Sequence, residues 1–414
     1  MAQHPSDISD VDLEPEVFGP LIAIREPALV RLALDISNRI LHVPSSNGKL
    51  ISRIGGSYNI VHIVQLDEIK LVIRVPATGW GFGMTELAAR ALQSQVATMR
   101  LIQKNTTIPV PEIYNLDTTS DNEIGAPYTC MSFVPGTSVS KVWFDDSGTI
   151  PREEMRLRIL SNLSQVMAQF SQLPTFDKIG SIMEDDAGST FIDPTYDWHE
   201  NEDGSVQVQS SGTFDSVSAY LQHHWVPIPK KNEWSRAQKK VMDSVLPHLD
   251  SRNIFVLCPP DFDSQNIMVD EQGNITGLID WDLAQTMPRF VGYARYPSWI
   301  TRDWDPLVYG WPIMSDSEDS PEALESYRAY YNKELGKALD WQGDWEFTEK
   351  SHIAEAVWIA ALNSTNRGHI CGKLVQVAAG GDEGGLGILY DIGSNYYGEE
   401  NWFKLESQLK QLMG

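Results

Sequence analysis

The sequence predicts an α+β fold in two lobes: a small lobe with an antiparallel β-sheet and a helix, then a larger, mostly helical lobe. Three observations predict it. β-forming runs separated by turn residues are concentrated in the first third of the chain, a Pro135-Gly136 break follows the last of them, and helical periodicity dominates the remainder. With 414 residues, 42% of them hydrophobic and 21% charged, the chain is long enough for two or three packed lobes.

The boundaries of the lobes follow from these breaks. Residues 1–20 are polar and acidic, which predicts a loose N-terminal tail, and residues 21–134 form the small lobe. Residues 135–414 form the larger lobe, after a hinge near 132–137. Within the larger lobe, residues 183–225 begin with a stretch rich in Gly, Ser, Asp and Thr and are predicted to be a surface insertion.

The elements of each lobe are predicted from periodicity and caps. Residues 26–42 have the apolar spacing of a helix, and the β-rich runs over 51–66 and 71–76 predict paired strands. Residues 85–104 predict a second helix, which Thr85 caps at its N-terminus. The other predicted elements are a strand over 127–134 and helices over 151–173, 235–249, 321–338, 349–367 and 400–413.

The composition excludes several classes of function. The chain has 56 acidic and 32 basic residues and a net charge of −24, which disfavours binding to nucleic acid or to an anionic membrane. Its N-terminus is not a signal peptide and no apolar run approaches the roughly 18 residues that cross a bilayer, so we expect a cytoplasmic protein. The three cysteines, Cys130, Cys258 and Cys371, match neither a disulfide framework nor a zinc site. The expected partner is a small molecule, and no pattern indicates an oligomeric state.

The most informative segment is CPPDFDSQNIMVDEQGNITGLIDWD, residues 258–282. Two short β-forming runs flank a turn at 271–274, which predicts a β-hairpin. In such a hairpin position 266 lies opposite about position 280, so Asn266 and Asp280 reach the same end of the hairpin. Asp261 lies on the loop that leads to that end.

These residue types suit phosphoryl transfer. An amide oxygen and carboxylates are the ligands that Mg²⁺ takes when phosphates complete its coordination shell. A further aspartate on a loop can accept the proton of an attacking hydroxyl group. Asp263 and Asp282 add negative charge nearby. The alternative interpretation is an ordinary hairpin turn that is rich in aspartate.

The same segment resembles the catalytic and metal loops of the aminoglycoside phosphotransferase-like family, in its fungal branch, whose fold is protein-kinase-like. The resemblance implies that Asp261 is the catalytic aspartate, that Asn266 is the first metal ligand and that Asp280 binds the bridging Mg²⁺. It continues through residues 292–306 and covers roughly residues 50–370. It therefore implies ATP and Mg²⁺ as cofactors.

In the small lobe, IGGSYNIVHIV resembles the phosphate loop of the family, with Gly55, Gly56, Ser57 and Asn59 at its tip. Glycines let backbone N–H groups approach phosphate oxygens, although a plain hairpin turn would look the same. The resemblance places Arg74, on the following strand, as the cation that binds phosphate.

The resemblance also implies an adenine site on the strand that joins the lobes. The adenine ring would bond to the backbone around Cys130–Phe133, which includes Met131 and Phe133. The alternative is that this is any strand that ends at Pro-Gly.

Two positions depart from the family pattern. The family usually has histidine two residues before its catalytic aspartate, and this chain has Pro259, which removes a hydrogen-bonding side chain and fixes φ. The helix after the phosphate strand usually supplies a glutamate to pair with the cation, and the aligned residue here is Gln95. Gln95 can accept a hydrogen bond from Arg74 but cannot form an ion pair with it.

The acceptor site is predicted from the insertion and from the resemblance. The insertion would roof the site with aromatic side chains, and a packed surface loop is the alternative. The residues that follow the hairpin would line the same cleft, and a place in the core is their alternative. The candidate substrate residues are Asp263, Asp282, Trp198, Trp225, Tyr293, Tyr296, Trp299 and Asp303.

Together these features predict an ATP- and Mg²⁺-dependent phosphotransferase that acts on a hydroxyl group of a small molecule, with secondary metabolism as one setting. Two alternatives remain open because of Pro259 and Gln95. One is a kinase-fold enzyme that performs ATP-independent chemistry, such as cyclisation, dehydration or rearrangement of a secondary metabolite. The other is a pseudokinase that serves as a binding module.

Overall fold

The structure, a computed structural model, describes residues 13–228, 232–249, 252–381 and 384–414. Contacts between residues divide the chain into two compact units, and neither unit is continuous in sequence. The sheet unit takes the described residues of Met1–Pro135, Gly180–Thr213 and Thr276–Gln285. The helical unit takes those of Gly136–Ile179, Phe214–Ile275 and Thr286–Gly414.

The sheet unit holds three helices, α1 (Pro15–Phe18), α2 (Glu26–Asp35) and α3 (Glu86–Asn105), among its described residues. A turn of π-helix, Ile36–Ile40, extends α2. Its strands are β1 (Gly48–Gly55), β2 (Asn59–Leu66), β3 (Lys70–Pro76), β4 (Ile113–Asp117), β5 (Tyr128–Ser132), β7 (Ser181–Glu184), β8 (Thr190–Asp193), β9 (Thr195–Glu200), β10 (Val206–Gly212) and most of β13 (Ile275–Leu278).

An antiparallel sheet in the order β1-β2-β3-β5-β4 is the centre of this unit. Because side chains alternate between the faces of a strand, Ile73 and Val75 of β3 face the core, where both are fully buried. Arg74 lies between them on the opposite face of the strand. Helix α2 packs on β1 and β2 and contributes Leu29 to the core. Burying an aliphatic side chain of this size stabilises the fold by about 1.5–3 kcal/mol.

The insertion predicted at 183–225 differs from expectation. The sequence assigned it to the larger lobe, but most of it forms two β-ribbons, β7-β8 and β9-β10, that belong to the sheet unit. Both ribbons pack on helix α3. Strand β7 contacts the helix, and Tyr196 and Val208 of the β9-β10 ribbon pack against its residues Ala88 and Ala91. The sequence pattern is weak because these short ribbons are stabilised by α3 rather than by their own hydrophobic runs.

The helical unit contains a large hydrophobic cluster to which α7, α9, α10, α11 and α12 contribute. Its helices are α4 (Val139–Val142), α5 (Arg152–Ala168), α6 (Val217–His224), α7 (Glu233–Val245), α8 (Pro321–Ala338), α9 (Ser351–Leu362), α10 (Ser364–Ala378), α11 (Gly385–Ser394) and α12 (Glu399–Met413). Its strands are β6 (Thr137–Ser138), β11 (Phe255–Leu257), β12 (Ile267–Val269) and β14 (Thr286–Pro288).

The predicted α+β class is confirmed, and most predicted elements are present with shifted ends. The capped helix begins after Thr85 as expected, and the turn at 271–274 forms through a hydrogen bond from Asp270 N to Asn274 O of 3.0 Å. The helix predicted over 349–367 is in fact two helices, because the side chain of Asn363 caps a new one. Of the predicted tail, residues 1–12 lie outside the described part of the chain.

The end of the predicted tail is wrong, because α1 starts at Pro15, a residue suited to the first turn of a helix. Among the residues that the structure describes, no helix combines the length and the apolar character needed to cross a membrane.

Candidate functional site

In the helical unit, the loop before β12 carries Asp261 and Asn266. The amide nitrogen of Asn266 donates to Asp261 Oδ2 at 2.8 Å and to the Asp261 carbonyl at 3.1 Å. Gln265 donates to the same Oδ2 at 3.1 Å. Asp261 is exposed, whereas Asn266 is buried. One carboxylate oxygen is thus held by two amides while the side chain remains accessible to a reactant.

Arg295 holds the start of this loop through hydrogen bonds. This buried guanidinium donates to the Pro259 carbonyl at 3.2 Å, to the Val291 carbonyl at 2.6 Å and to Cys258 Sγ at 3.3 Å. Its Nε lies 3.3 Å from a Glu355 oxygen. Burial lowers the pKa of Arg295, but Cys258 and Glu355 outweigh it and raise the pKa overall. Arg295 therefore stays charged and fixes the backbone at Pro259.

Asp263 caps the short helical turn Ser264–Asn266. Its Oδ1 accepts hydrogen bonds from the backbone N–H and hydroxyl of Ser264, and its Oδ2 accepts one from the Ser298 hydroxyl at 2.6 Å. These bonds give Asp263 a structural role in shaping the loop. The sequence prediction of a substrate contact at Asp263 finds no support in these bonds.

In the sheet unit, Arg74 binds both aspartates of the segment that follows β13. Its two terminal nitrogens reach the two oxygens of Asp282 at 3.0 and 3.1 Å, which is the bidentate arrangement of an arginine–carboxylate pair. One of the nitrogens also reaches Asp280 Oδ1 at 3.0 Å. The Arg74 side chain is 12% exposed, that of Asp282 16% and that of Asp280 44%. Asp280 is thus the accessible carboxylate of the three-residue cluster.

Two neutral amides complete the surroundings of Asp282. Asn59 Nδ2 donates to Asp282 Oδ2, and Gln95 Nε2 donates to Asp282 Oδ1. The bond that Gln95 makes is thus donated by its amide nitrogen to the carboxylate that Arg74 also binds, and a bond accepted from Arg74 by its amide oxygen stays a prediction.

The charges of this cluster act on one another. Burial raises the pKa of Asp282, and Arg74 opposes this effect. Burial lowers the pKa of Arg74, but the two carboxylates raise it overall. Arg74 is therefore a permanent positive charge next to two acidic groups.

The backbone at Asp280 has an uncommon conformation. Its φ is 62°, in the left-handed region that glycine favours. Such a conformation in a residue with a side chain costs on the order of 1 kcal/mol, and functional sites are where it recurs. Trp281, which is buried, donates its indole N–H to the Leu278 carbonyl at 3.0 Å and so holds the turn.

The predicted phosphate loop is a tight turn between β1 and β2. Gly56 and Ser57 at its tip are exposed, and Gly56 N–H donates to the Asn59 carbonyl at 2.8 Å. Tyr58 stacks on Trp198 of β9 with ring centroids 4.8 Å apart, and its hydroxyl donates to Glu200 at 3.0 Å. Trp198 therefore contacts the loop next to Gly55–Ser57.

The predicted adenine strand is β5. Its backbone pairs with β3 on one side and β4 on the other, as far as Ser132. Met131 is buried, and Phe133 lies under the Lys70 ammonium at 4.8 Å. An adenine ring would therefore have to bond to the backbone beyond the sheet, at Phe133, rather than at Met131.

The other candidate substrate residues lie in the helical unit. Tyr293, Tyr296, Trp299 and Asp303 are buried, and Asp303 forms an ion pair with Arg328 at 2.6 Å. Trp225 lies against the guanidinium of Arg367 at 4.5 Å. Burial and these contacts favour the packing alternative for all five residues.

A magnesium ion would find suitable ligands in both units. Asp280 offers an accessible carboxylate, and the hydrogen bonds of Asn266 to Asp261 use its amide nitrogen, so the amide oxygen is the ligand atom. Within the described residues, no group of three His, Cys, Asp or Glu side chains could hold a metal ion by itself. That Asn266 and Asp280 share one ion stays a prediction.

Sequence reasoning missed one contributor to this site. Arg295 gave no signal, because its partners include the Pro259 carbonyl, 36 residues away in sequence. Asp282 was predicted as added charge and as a substrate contact, and its bonds to Asn59, Arg74 and Gln95 were not predicted because folding brings these partners to it.

The comparisons with known proteins identify a family. The sequence model described as the phosphotransferase enzyme family matches residues 29–341, about three quarters of the chain. That range includes Arg74, Asp261, Asn266 and Asp280.

Fungal proteins are among the relatives in sequence. Altered inheritance of mitochondria protein 9 of Candida tropicalis is 29% identical over 138 residues, which cover 32% of this chain and 21% of that protein. Clavilactone A biosynthesis cluster protein Y of Ampulloclitocybe clavipes is 24% identical over 228 residues, 51% of this chain and 54% of that protein. The chain thus spans from about a fifth to about half of the length of these curated relatives.

Among solved structures, this chain is similar to the aminoglycoside phosphotransferase APH(4)-Ia. The match covers 92% of this chain and 97% of that protein, with 11% sequence identity and a TM-score of 0.42. The match to the macrolide 2'-phosphotransferase type I covers 87% of this chain and 95% of that protein, with 11% sequence identity and a TM-score of 0.39.

Proposed function

This chain belongs to the phosphotransferase enzyme family, and from that premise we propose that it transfers the γ-phosphoryl group of ATP to a hydroxyl group of a small molecule. The observation that carries the proposal is the pinned carboxylate of Asp261, accessible to a reactant and held through Oδ2 by Asn266 and Gln265. A general base has to be both oriented and accessible, and Asp261 is both.

In the proposed reaction, Asp261 orients the acceptor hydroxyl and takes its proton through Oδ1 as the oxygen bonds to the γ-phosphorus. The bond from that phosphorus to the bridging oxygen breaks, and ADP leaves. Asn266 and Asp280 would hold Mg²⁺, and Arg74 would bind phosphate oxygens. When bound, magnesium would neutralise the charge that spreads over the phosphates.

The setting that we propose for this activity is secondary metabolism. The supporting observation is the name of one relative, a protein of the clavilactone A biosynthesis cluster, which matches about half of this chain. We propose a metabolite with a free hydroxyl group as the acceptor, because Asp261 can act only on a proton that its carboxylate can reach.

A second candidate function rests on a different observation. Arg74 is already bound by the carboxylates of Asp280 and Asp282, so a nucleotide would have to share this cation with them. That arrangement is also compatible with a fold that performs ATP-independent chemistry or binds a ligand without turnover. The two functions differ in one measurable property, the need for ATP and a divalent metal ion.

The test compares the wild-type protein with Asp261→Asn. We expect phosphorylation of an accepted hydroxyl compound, found by screening a metabolite panel with radiolabelled ATP, to fall by about 10²–10⁴-fold in the variant, while ATP affinity stays within about twofold. Glu271→Gln, in the exposed hairpin turn, is the control and should keep full activity. Chelation of Mg²⁺ should abolish transfer in all three proteins. Equal turnover in wild type and Asp261→Asn would refute the assignment, and conversion of a substrate without nucleotide would favour the second candidate.

A further inference from the structure

We infer that Asp282 is a positioning residue, which fixes the direction of the Arg74 guanidinium and depends on the uncharged Gln95 to do so. The inference rests on the proposed function, because it assigns Arg74 to the phosphates of a nucleotide. It replaces the prediction that Asp282 contacts substrate.

The Asp282 carboxylate already has a full set of hydrogen-bond donors. Its Oδ1 accepts from Arg74 and Gln95, and its Oδ2 accepts from Arg74 and Asn59. A carboxylate offers about four acceptor positions, so the donors of this unit already fill them. A substrate group could bind Asp282 only by displacing one of these donors.

The donors to Asp282 come from three different elements of the sheet unit. Asn59 begins β2, Arg74 lies on β3 and Gln95 lies in the middle of α3. Asp282 thus ties two strands and a helix together at one carboxylate. An arginine held by both terminal nitrogens has its plane fixed, whereas one held at a single point can rotate.

Asp280 and Asp282 differ in exposure and in how they contact Arg74. Asp282 takes the bidentate face of Arg74 and is 16% exposed, whereas Asp280 touches a single nitrogen and is 44% exposed. Asp280 can therefore turn to a metal ion without releasing Arg74. Asp282 keeps the guanidinium in place when that happens.

The side chain at position 95 is uncharged, and this affects the net charge around Arg74. With a neutral Gln95, the two aspartates and Arg74 together carry one negative charge. A glutamate at position 95 would put a third carboxylate within hydrogen-bond distance of Asp282 and remove a donor from it. Like charges at such a distance repel strongly in a partly buried site. The amide of Gln95 is therefore matched to the acid at 282.

This matching permits a swap experiment with four proteins: wild type, Asp282→Asn, Gln95→Glu and the double variant. In the double variant, the amide introduced at position 282 can donate to the carboxylate introduced at position 95, so the negative charge moves to the helix and remains close to Arg74. Three quantities are measured on each protein: the thermal midpoint without ligand, the dissociation constant of ATP with Mg²⁺, and the dissociation constant of adenosine.

We expect Asp282→Asn to weaken ATP binding by about 10- to 100-fold, because a charge-assisted bidentate contact to Arg74 is lost. Adenosine binding should change less than about twofold, because adenosine has no phosphate for Arg74 to bind. Gln95→Glu should lower the thermal midpoint by about 3–8 °C. The double variant should recover at least half of both losses.

The control is Asp67→Asn. Asp67 accepts hydrogen bonds from the backbone N–H groups of Ser46 at 2.7 Å and Asn47 at 3.2 Å in the same unit, so its loss destabilises the fold without touching Arg74. We expect this variant to lower the thermal midpoint but to leave the ratio of ATP to adenosine affinity unchanged.

The outcomes separate the two hypotheses. A wild-type protein that does not bind ATP overturns the proposed function and, with it, the role of Arg74 in binding phosphate. A wild-type protein that binds ATP, together with an Asp282→Asn variant that binds it equally well, overturns the positioning role alone. The same holds if the double variant is no better than the worse single variant, because the two sites would then be independent.

Discussion

At the scale of the residue, Arg295 holds the loop that presents Asp261. Pro259 brings no hydrogen-bonding side chain to that loop, and its carbonyl instead accepts a hydrogen bond from Arg295 at 3.2 Å. The guanidinium is buried and also bonds to Val291 and Cys258, so the loop rests on a rigid, charged support. An unusual residue at 259 is therefore compatible with an ordered loop.

We expect Arg295→Lys to lower kcat by about 10- to 100-fold with little change in the KM for ATP. Lysine keeps the charge near Glu355 but cannot make the forked contacts, and a shift of about 1 Å at Asp261 is enough for a loss of this size. Steady-state kinetics with saturating acceptor would measure it.

Glu355→Gln is the matched control, because it removes the ion pair with Arg295 and leaves the bond to the Pro259 carbonyl in place. The support role would be contradicted if both variants had the same kcat, since the ion pair rather than the loop contact would then be what matters.

At the scale of the element, the β9-β10 ribbon restrains the phosphate loop. Trp198 of β9 stacks on Tyr58, next to the loop tip, and Glu200 accepts a hydrogen bond from the Tyr58 hydroxyl. Burial and Glu200 raise the pKa of Tyr58, so the phenol stays protonated as the donor. The ribbon itself is anchored on α3 through Arg90, which donates to Asp193 and Tyr196.

We expect Trp198→Ala to raise the dissociation constant of ATP by about three- to tenfold, because a stacked aromatic pair contributes about 0.5–1.5 kcal/mol to the ordering of the loop. Amide hydrogen exchange at residues 55–58 should become faster in the same variant. Trp198→Phe keeps an aromatic face for Tyr58 and should stay close to wild type. Unchanged exchange at 55–58 in Trp198→Ala would show that the stack does not restrain the loop.

Local signals in the sequence predict the elements but not their cross-links. Thr85 and the turn at 271–274 are short-range patterns, and both are confirmed. The β7-β8 and β9-β10 ribbons were missed, because short strands that rest on a helix lack a hydrophobic period of their own.

The candidate site was predictable to the same extent. Its residue types and their order in the chain were apparent, and the resemblance supplied their roles. The hydrogen bond from Gln95 to Asp282 joins residues 187 apart in sequence, and no local pattern encodes it. The amide at position 95 therefore looked like a simple loss of an ion pair, whereas folding gives it a carboxylate to bind.

At the scale of the whole molecule, charge and burial together set the response to pH. The net charge of −24 falls in magnitude as carboxylates are protonated, which relieves repulsion among them in acid. Two histidines act in the opposite direction, the buried His62 and the half-buried His352. Burial and the nearby Arg53 lower the pKa of His62 to about 4, and burial and Arg328 lower the pKa of His352 to about 3. His62 lies in the sheet unit and His352 in the helical unit, so each unit has its own acid-sensitive group.

The sign of their effect follows from proton binding. The pKa of an unfolded histidine is about 6.5, so between that value and about 4 the unfolded chain binds a proton that the folded His62 does not. Folding stability therefore falls as the pH drops through this window, by about 1.4 kcal/mol per pH unit for each such histidine. Above pH 7 both states are neutral at His62, and its contribution to stability is constant.

We expect His62→Leu to flatten this dependence, because leucine fills the buried position on β2 beside Ile60 and Val64 and does not titrate. Urea unfolding at pH 7, 6 and 5 would give the free energy of unfolding at each pH, and the loss between pH 6 and 5 should be smaller in the variant by about 1 kcal/mol. His199→Leu is the control, since His199 is exposed on β9 and its imidazole keeps its contact with water on unfolding. Equal pH slopes for wild type and His62→Leu would mean that His62 is solvated or paired in the folded protein, which contradicts its burial in the core of the sheet unit.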